Sequence, residues 1–190
     1  MSAAHSLGDA GAAAALEGRN VRTGMLLFIV TEVMLFAALF AAYFYLRGAS
    51  AAWPPSPAAH RPELGLVTAN TAILVTSSIT LQLAHQGGRA WRRWLGATIA
   101  LGAAFLAIQA YEFSGNTFSI ADGVFGSTFY ALTGFHGMHV AIGLLLLGVM
   151  LRRAQRGYVR PASASFAAAS YYWHFVDVVW LFLFATVYVL

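Results

Sequence analysis

Five stretches of this chain approach the ~20 consecutive apolar residues needed to cross ~30 Å of hydrocarbon, and that repetition leaves few folds open. They run over residues 24–46, 64–84, 94–111, 127–151 and 168–190. In a bilayer every backbone N–H and C=O has to be satisfied within the segment, so apolar spans of this length are helices. The expectation is an all-α, polytopic bundle of five transmembrane helices. Charge supports it: only 9% of the residues are charged, against about 25% in soluble domains, whose surfaces must meet water. The third stretch is the shortest, and Gln109 and Glu112 mark its expected emergence at the membrane interface.

The length of 190 residues suits one domain. Residues 1–23 are rich in Ala and Gly, with Asp9, Glu17, Arg19 and Arg22 interspersed. No apolar run follows a basic start as in a secretory signal, so this segment reads as a mobile or surface-lying tail ahead of a bundle over 24–190. Pro54, Pro55 and Pro57 forbid a continuous helix after the first span. The absence of Cys excludes disulfides and thiolate chemistry.

All eleven basic residues are Arg, and their placement gives an orientation. With a cytoplasmic N-terminus, that side receives Arg19, Arg22, Arg89, Arg92, Arg93, Arg152, Arg153, Arg156 and Arg160, and the other only Arg47 and Arg61. Nine against two is a strong positive-inside bias and supports an odd number of spans, with the C-terminus on the outer, periplasmic side. The same distribution explains the basic excess without nucleic acid as a partner.

Ionisable groups at membrane depth cost ~2.5 kcal/mol or more to insert and face protein or water. The candidates are Glu32 in the first span, His136 and His139 in the fourth, and His174 and Asp177 in the fifth. The i, i+3 spacing puts each pair on one helical face, so a single polar seam shared by the first, fourth and fifth helices is one expectation. Three His and two carboxylates could ligate a metal or haem, serve as a proton relay, or bond helices to one another. Small residues at Gly96, Ala100 and Ala104, and at Gly137 and Ala141, allow close helix approach. Tyr43, Tyr45, Trp53, Trp91, Trp94, Tyr111 and Tyr188 fall near expected interfaces, as an aromatic belt would. Trp173 and Trp180 share a face with His174 and Asp177, a stripe suited to internal packing or to lipid. No tandem or inverted repeat is evident, which lowers the standing of an inverted-repeat transporter.

Several blocks carry a resemblance. Tyr172-Trp173-His174-Phe175-Val176-Asp177-Val178-Val179-Trp180-Leu181-Phe182 is similar to the terminal-helix signature of cytochrome c oxidase subunit III. Asp122-Gly123-Val124-Phe125-Gly126-Ser127-Thr128-Phe129 and Thr133-Gly134-Phe135-His136-Gly137-Met138-His139-Val140 resemble the block before it. Asn70-Thr71 with His85 resembles the second block, and Thr31-Glu32-Val33-Met34-Leu35-Phe36 the motif with the family's intramembrane glutamate. The blocks stand in family order across residues 24–190.

The resemblance implies a noncatalytic subunit of a respiratory haem–copper oxidase, multi-pass in the bacterial cytoplasmic (inner) membrane. It implies no cofactor or metal on this chain, with haem and copper in partner subunits. The partners would be the catalytic subunit I, subunit II, phospholipids, and cytochrome c as donor to the whole complex, which reduces oxygen and pumps protons. Glu32, His136, His139, His174 and Asp177 would form the family's intramembrane polar network, with a structural, proton-uptake or lipid role. His85, Glu112, Trp173 and Trp180 are candidate interfacial or lipid contacts. The chain is similar to the short five-helix form, and Ala167 stands where the family often has a glutamate, so no role for that acid transfers. Quinol oxidases of the same superfamily carry a similar subunit, and an accessory protein of nitric oxide reductase is related. A free-standing transporter or metalloprotein is the reading from a different class.

Overall fold

The computed structural model describes residues 2–51, 53, 64–116 and 118–190. Pro54, Pro55, Pro57 and Arg61, on which part of the loop and charge reading fell, lie outside the described residues. Five helices follow one another: α1 (Ser2–Ala49), α2 (Leu64–His85), α3 (Trp91–Gly115), α4 (Gly123–Gln155) and α5 (Ala164–Leu183), the last continuing as a π-helical turn, Phe184–Val189. Each contains a span long and apolar enough to cross a membrane.

Their ends differ from the sequence expectation in instructive ways. Residues 2–23, read as a tail, continue the first helix. Its 48 residues rise ~70 Å at ~1.5 Å each, so α1 reaches well beyond a ~30 Å hydrocarbon core. Helix α5 starts at Ala164 rather than 168 because Ser163 caps it: the Phe166 N–H donates to Ser163 Oγ. Helix α4 starts at Gly123, whose φ of +81° suits glycine. The Asp122 carboxylate accepts from the Ser119 N–H and closes the approach to it. Gly126 then lies so close to Ser119 that an added Cβ would collide with its carbonyl oxygen.

Helices α1 and α5 run parallel. Successive contacts pair Phe28 with Tyr172, Phe40 with Phe182, Tyr43 with Thr186 and Arg47 with Leu190. An odd number of spans produces this arrangement, since the first and fifth must then cross in the same direction. Buried Phe36, Phe40 and Tyr43 form the inward stripe of α1, while Leu27, Met34 and Tyr45 point away from the bundle. At one end, Gly18 approaches Ala164 and Gly87 approaches Pro161. The stretches with Arg19 and Arg22, with Arg89, Arg92 and Arg93, and with Arg152 to Arg160 therefore gather at the same end of the molecule. The aromatic belt is only partial: Tyr45 and Tyr111 are exposed, but Tyr43 and Tyr188 are buried.

The centre of the bundle is α5, more of which is buried than of any other helix. Trp173 and Trp180 are both 0% exposed. Trp173 fits because two neighbours lack side chains. A Cβ on Gly102 of α3 would sit 2.5 Å from its ring, and one on Gly143 of α4 2.8 Å from it. These glycines, rather than Gly96, carry the closest helix approach; an added Cβ at Gly96 would meet nothing within 4 Å. Gly137 does face a neighbouring helix, with Leu106 and Gln109 at ordinary contact distance.

This yields a contrast between two glycines of one helix. Gly102→Ala is expected to destabilise the bundle by about 1–3 kcal/mol through overpacking. Gly96→Ala should change stability by no more than about 0.5 kcal/mol in either direction. Detergent-mediated unfolding followed by Trp fluorescence measures both; equal effects would mean that Trp173 does not occupy the gap.

Candidate polar sites within the bundle

The residues expected to form one seam divide into three groups, each facing a different neighbour. Glu32 of α1 meets His139 of α4, with Oε2 and Nε2 3.0 Å apart. His139 Nδ1 lies 2.7 Å from the Phe135 carbonyl oxygen, which only accepts, so Nδ1 carries a hydrogen. Nε2 then has two states. It accepts from a protonated Glu32, or it carries a second hydrogen and donates to a Glu32 carboxylate. Either way one proton lies between the two groups and the pair is electrically neutral, which a low-dielectric site favours. The edge-on ring of Phe36 lies 5.0 Å from the His139 ring, and the Tyr172 hydroxyl donates to the His139 carbonyl oxygen.

The second group joins α2 to α5. Ser78 Oγ donates to Asp177 Oδ2 and lies 2.9 Å from His174 Nδ1. A hydroxyl has one hydrogen, so Ser78 gives it to the carboxylate and accepts from the imidazole. His174 and Asp177 themselves stand 3.9 Å apart, and Ser78 is the bridge between them. Asp177 is buried, whereas the His174 side chain remains 37% exposed.

His136, although three residues from His139, lies about 60° round the helix from it at ~100° per residue. That angle turns it to different neighbours: its ring sits 6.0 Å from that of Phe105 and 4.9 Å from that of Trp180. It is 0% exposed, and its two nitrogens have no hydrogen-bond partner among the described residues. Among the described residues, no hydrogen bond links the three groups. No three His, Cys, Asp or Glu side chains among those residues converge as a metal-binding set.

The four residues considered as interfacial or lipid contacts point mostly inward. The Trp173 indole N–H donates to Ser77 Oγ at 3.1 Å and that of Trp180 to Thr71 Oγ1 at 2.9 Å, both on α2. Each large ring is thus buried with its one polar atom satisfied, and neither can reach lipid. Glu112 lies near the end of α3, but its side chain is buried and accepts from the Tyr188 hydroxyl at 3.2 Å. His85, half-buried at the end of α2, stacks on Phe166 with ring centroids 5.6 Å apart.

Sequence reasoning missed the partners that make these placements work. Ser77, Ser78, Thr80 and Thr71 of α2 are all turned toward other helices, and Thr80 pairs with Thr98 of α3 at 2.8 Å. A signal existed: α2 carries hydroxyl residues at 68, 71, 76, 77, 78 and 80, unusually many for a span otherwise so apolar. Gln109, expected at the interface, is likewise buried.

The model of the family described as cytochrome c oxidase subunit III matches residues 6–190. A protein named cytochrome c oxidase subunit 3 from Bacillus subtilis (strain 168) is 42% identical over 185 residues, covering 92% of this chain and 88% of its own length. One of the same name from Thermostichus vulcanus is 42% identical over 177 residues, covering 88% and 86%. Another from Formosania lacustris is 41% identical over 181 residues, covering 90% of this chain and 69% of its own length. The chain belongs to the cytochrome c oxidase subunit III family.

Proposed function

We propose that the protein is the noncatalytic subunit III of a haem–copper cytochrome c oxidase in a bacterial cytoplasmic membrane, with its arginine-rich end toward the cytoplasm. Family membership across residues 6–190 is the observation that carries the reading. The charge asymmetry supports the orientation. In this reading haem and copper belong to partner subunits, the catalytic subunit I and subunit II, and cytochrome c delivers electrons to the assembly. This chain stabilises subunit I during oxygen reduction and proton pumping.

The polar pairs suit that role. Glu32 with His139 and Ser78 with His174 and Asp177 each join two helices, so they fix the relative placement of α1, α2, α4 and α5. Lipid fits the outside of the same framework. An apolar groove of about 480 Å³ runs between α1 and α5, lined by Val33, Phe36, Phe40, Phe175, Val178 and Phe182. Its walls offer carbon to a ligand, as an acyl chain requires.

Two measurements test these assignments. In a double-mutant cycle on the assembled complex, Glu32→Leu and His139→Leu should each weaken retention of the subunit by about 1–3 kcal/mol, because each strands a polar partner. The double variant should lose less than the sum, and Glu32→Gln, which can still donate to Nε2, should lose little. Additive losses would remove the pair from the framework. For the function itself, the tagged chain is extracted gently from native membranes. A haem–copper catalytic subunit should copurify, with oxidase activity from reduced cytochrome c. Activity from quinol alone would move the protein to the quinol oxidases, and copurification with a nitric oxide reductase, or isolation of the chain alone, would overturn the assignment.

A further inference from the structure

The interior between α2, α3 and α4 contains polar side chains that neither the helix-joining pairs nor the Trp–hydroxyl bonds use. Asn70 of α2 is 1% exposed, Gln109 of α3 2% and His136 of α4 0%. Five of their atoms have no partner among the described residues: Asn70 Oδ1, both polar atoms of the Gln109 carboxamide and both ring nitrogens of His136. Three contacts bring the residues to one place. The Asn70 amide donates to the Phe105 carbonyl oxygen at 3.1 Å, and Gln109 lies one turn further along α3 from Phe105. The Phe105 ring stands 6.0 Å from that of His136. Gly137, next to His136, lies against Gln109, with 3.8 Å from the position of an added Cβ to Gln109 Oε1.

We propose that Asn70, Gln109 and His136 form a buried binding site for water that bridges α2, α3 and α4. The atoms match that ligand in type, and one water can serve three of the five. An uncharged imidazole offers one donor and one acceptor, the Gln109 carboxamide offers both, and Asn70 Oδ1 accepts. A water molecule donates twice and accepts twice, and buried waters typically make about three such bonds. One bound between these residues can donate to Asn70 Oδ1 and to the bare imidazole nitrogen while accepting from the Gln109 amide. A cation does not suit the site. The nearest acid along α3, Glu112, is already engaged by the Tyr188 hydroxyl. An apolar ligand would leave all five atoms stranded. Phe105 and Trp180 stand beside the imidazole, and burial of all three polar side chains keeps them from lipid.

The test uses the purified native assembly, in a cryo-electron-microscopy map fine enough to show ordered solvent. A solvent peak within hydrogen-bonding distance of at least two of the three side chains is expected. A map in which the three close on one another, or pack against carbon with no peak between them, overturns the site. Variants give an independent reading in heat-inactivation curves of the same assembly. Gln109→Leu strands the other two side chains and is expected to lower the midpoint by roughly 2–4 °C, the shift typical of one lost interaction in a chain of this size. The triple variant Asn70→Leu, Gln109→Leu, His136→Phe removes every group the water serves and should recover most of that loss. Successive losses that simply add would count against a shared bridge.

Discussion

The structure turns on how α5 is buried. Two indole rings, Trp173 and Trp180, occupy the middle of the bundle, and each sends its N–H to a hydroxyl of α2. In hydrocarbon a stranded polar atom has no water to turn to, so a large aromatic ring can be central only where its polar atom is met. Ser77 and Thr71 meet both. The rings in turn require Gly102 and Gly143, because no side chain fits where the Trp173 indole lies. The order of the remaining helices follows: α2, α3 and α4 close around the two rings, and α1 packs along the α5 flank, parallel to it.

The same restriction bears on Glu32, His139 and Asp177, each of which meets a polar partner on another helix. Lipid tails give helices no hydrophobic reason to associate, so packing and interhelical hydrogen bonds must supply specificity. The Glu32–His139 pair adds a feature that a simple Asn or Ser contact lacks. With His139 Nδ1 held by the Phe135 carbonyl oxygen, the pair shares one proton and stays neutral in either of its two forms. It can therefore lie at membrane depth without leaving a net charge there. The Ser78 bridge achieves a related end for Asp177, supplying a donor to a carboxylate whose neighbour His174 is too distant to bond it directly.

The fold was legible in the sequence because its cause is coarse: five apolar runs of sufficient length, with arginines concentrated in alternate connections, imply five spans whatever their packing. The ends were less so. Ser163 and Ser165 look like loop residues until one of them caps a helix, and residues 2–23 have no hydrophobic period to announce that they continue α1. The residues of the site were legible too, since ionisable groups in apolar runs are conspicuous. Their grouping was not. Spacing of three places His136 and His139 on one broad face, yet that face touches α1 at one edge and α3 and α5 at the other. Only the packing decides which residue meets which helix, and it assigned them to different neighbours.

Glu112 and Gln109 show the same limit from the other direction. Toward the end of an apolar run, a polar side chain reads as the point where the helix meets water, because that is the cheapest environment for it. The alternative, a partner from a helix distant in sequence, leaves no local trace: Tyr188 lies 76 positions from Glu112. That partner depends on how α5 ends. The chain there widens into a π-helical turn over Phe184–Val189, a rare form in helices. The Tyr43 hydroxyl and the Arg47 side chain of α1 bond the carbonyl oxygens of Thr186 and Leu190. The widened turn is thus fastened from α1 on one side and reaches α3 through Tyr188 on the other. A residue that seemed to mark the edge of the membrane is instead part of what holds the end of the central helix in place.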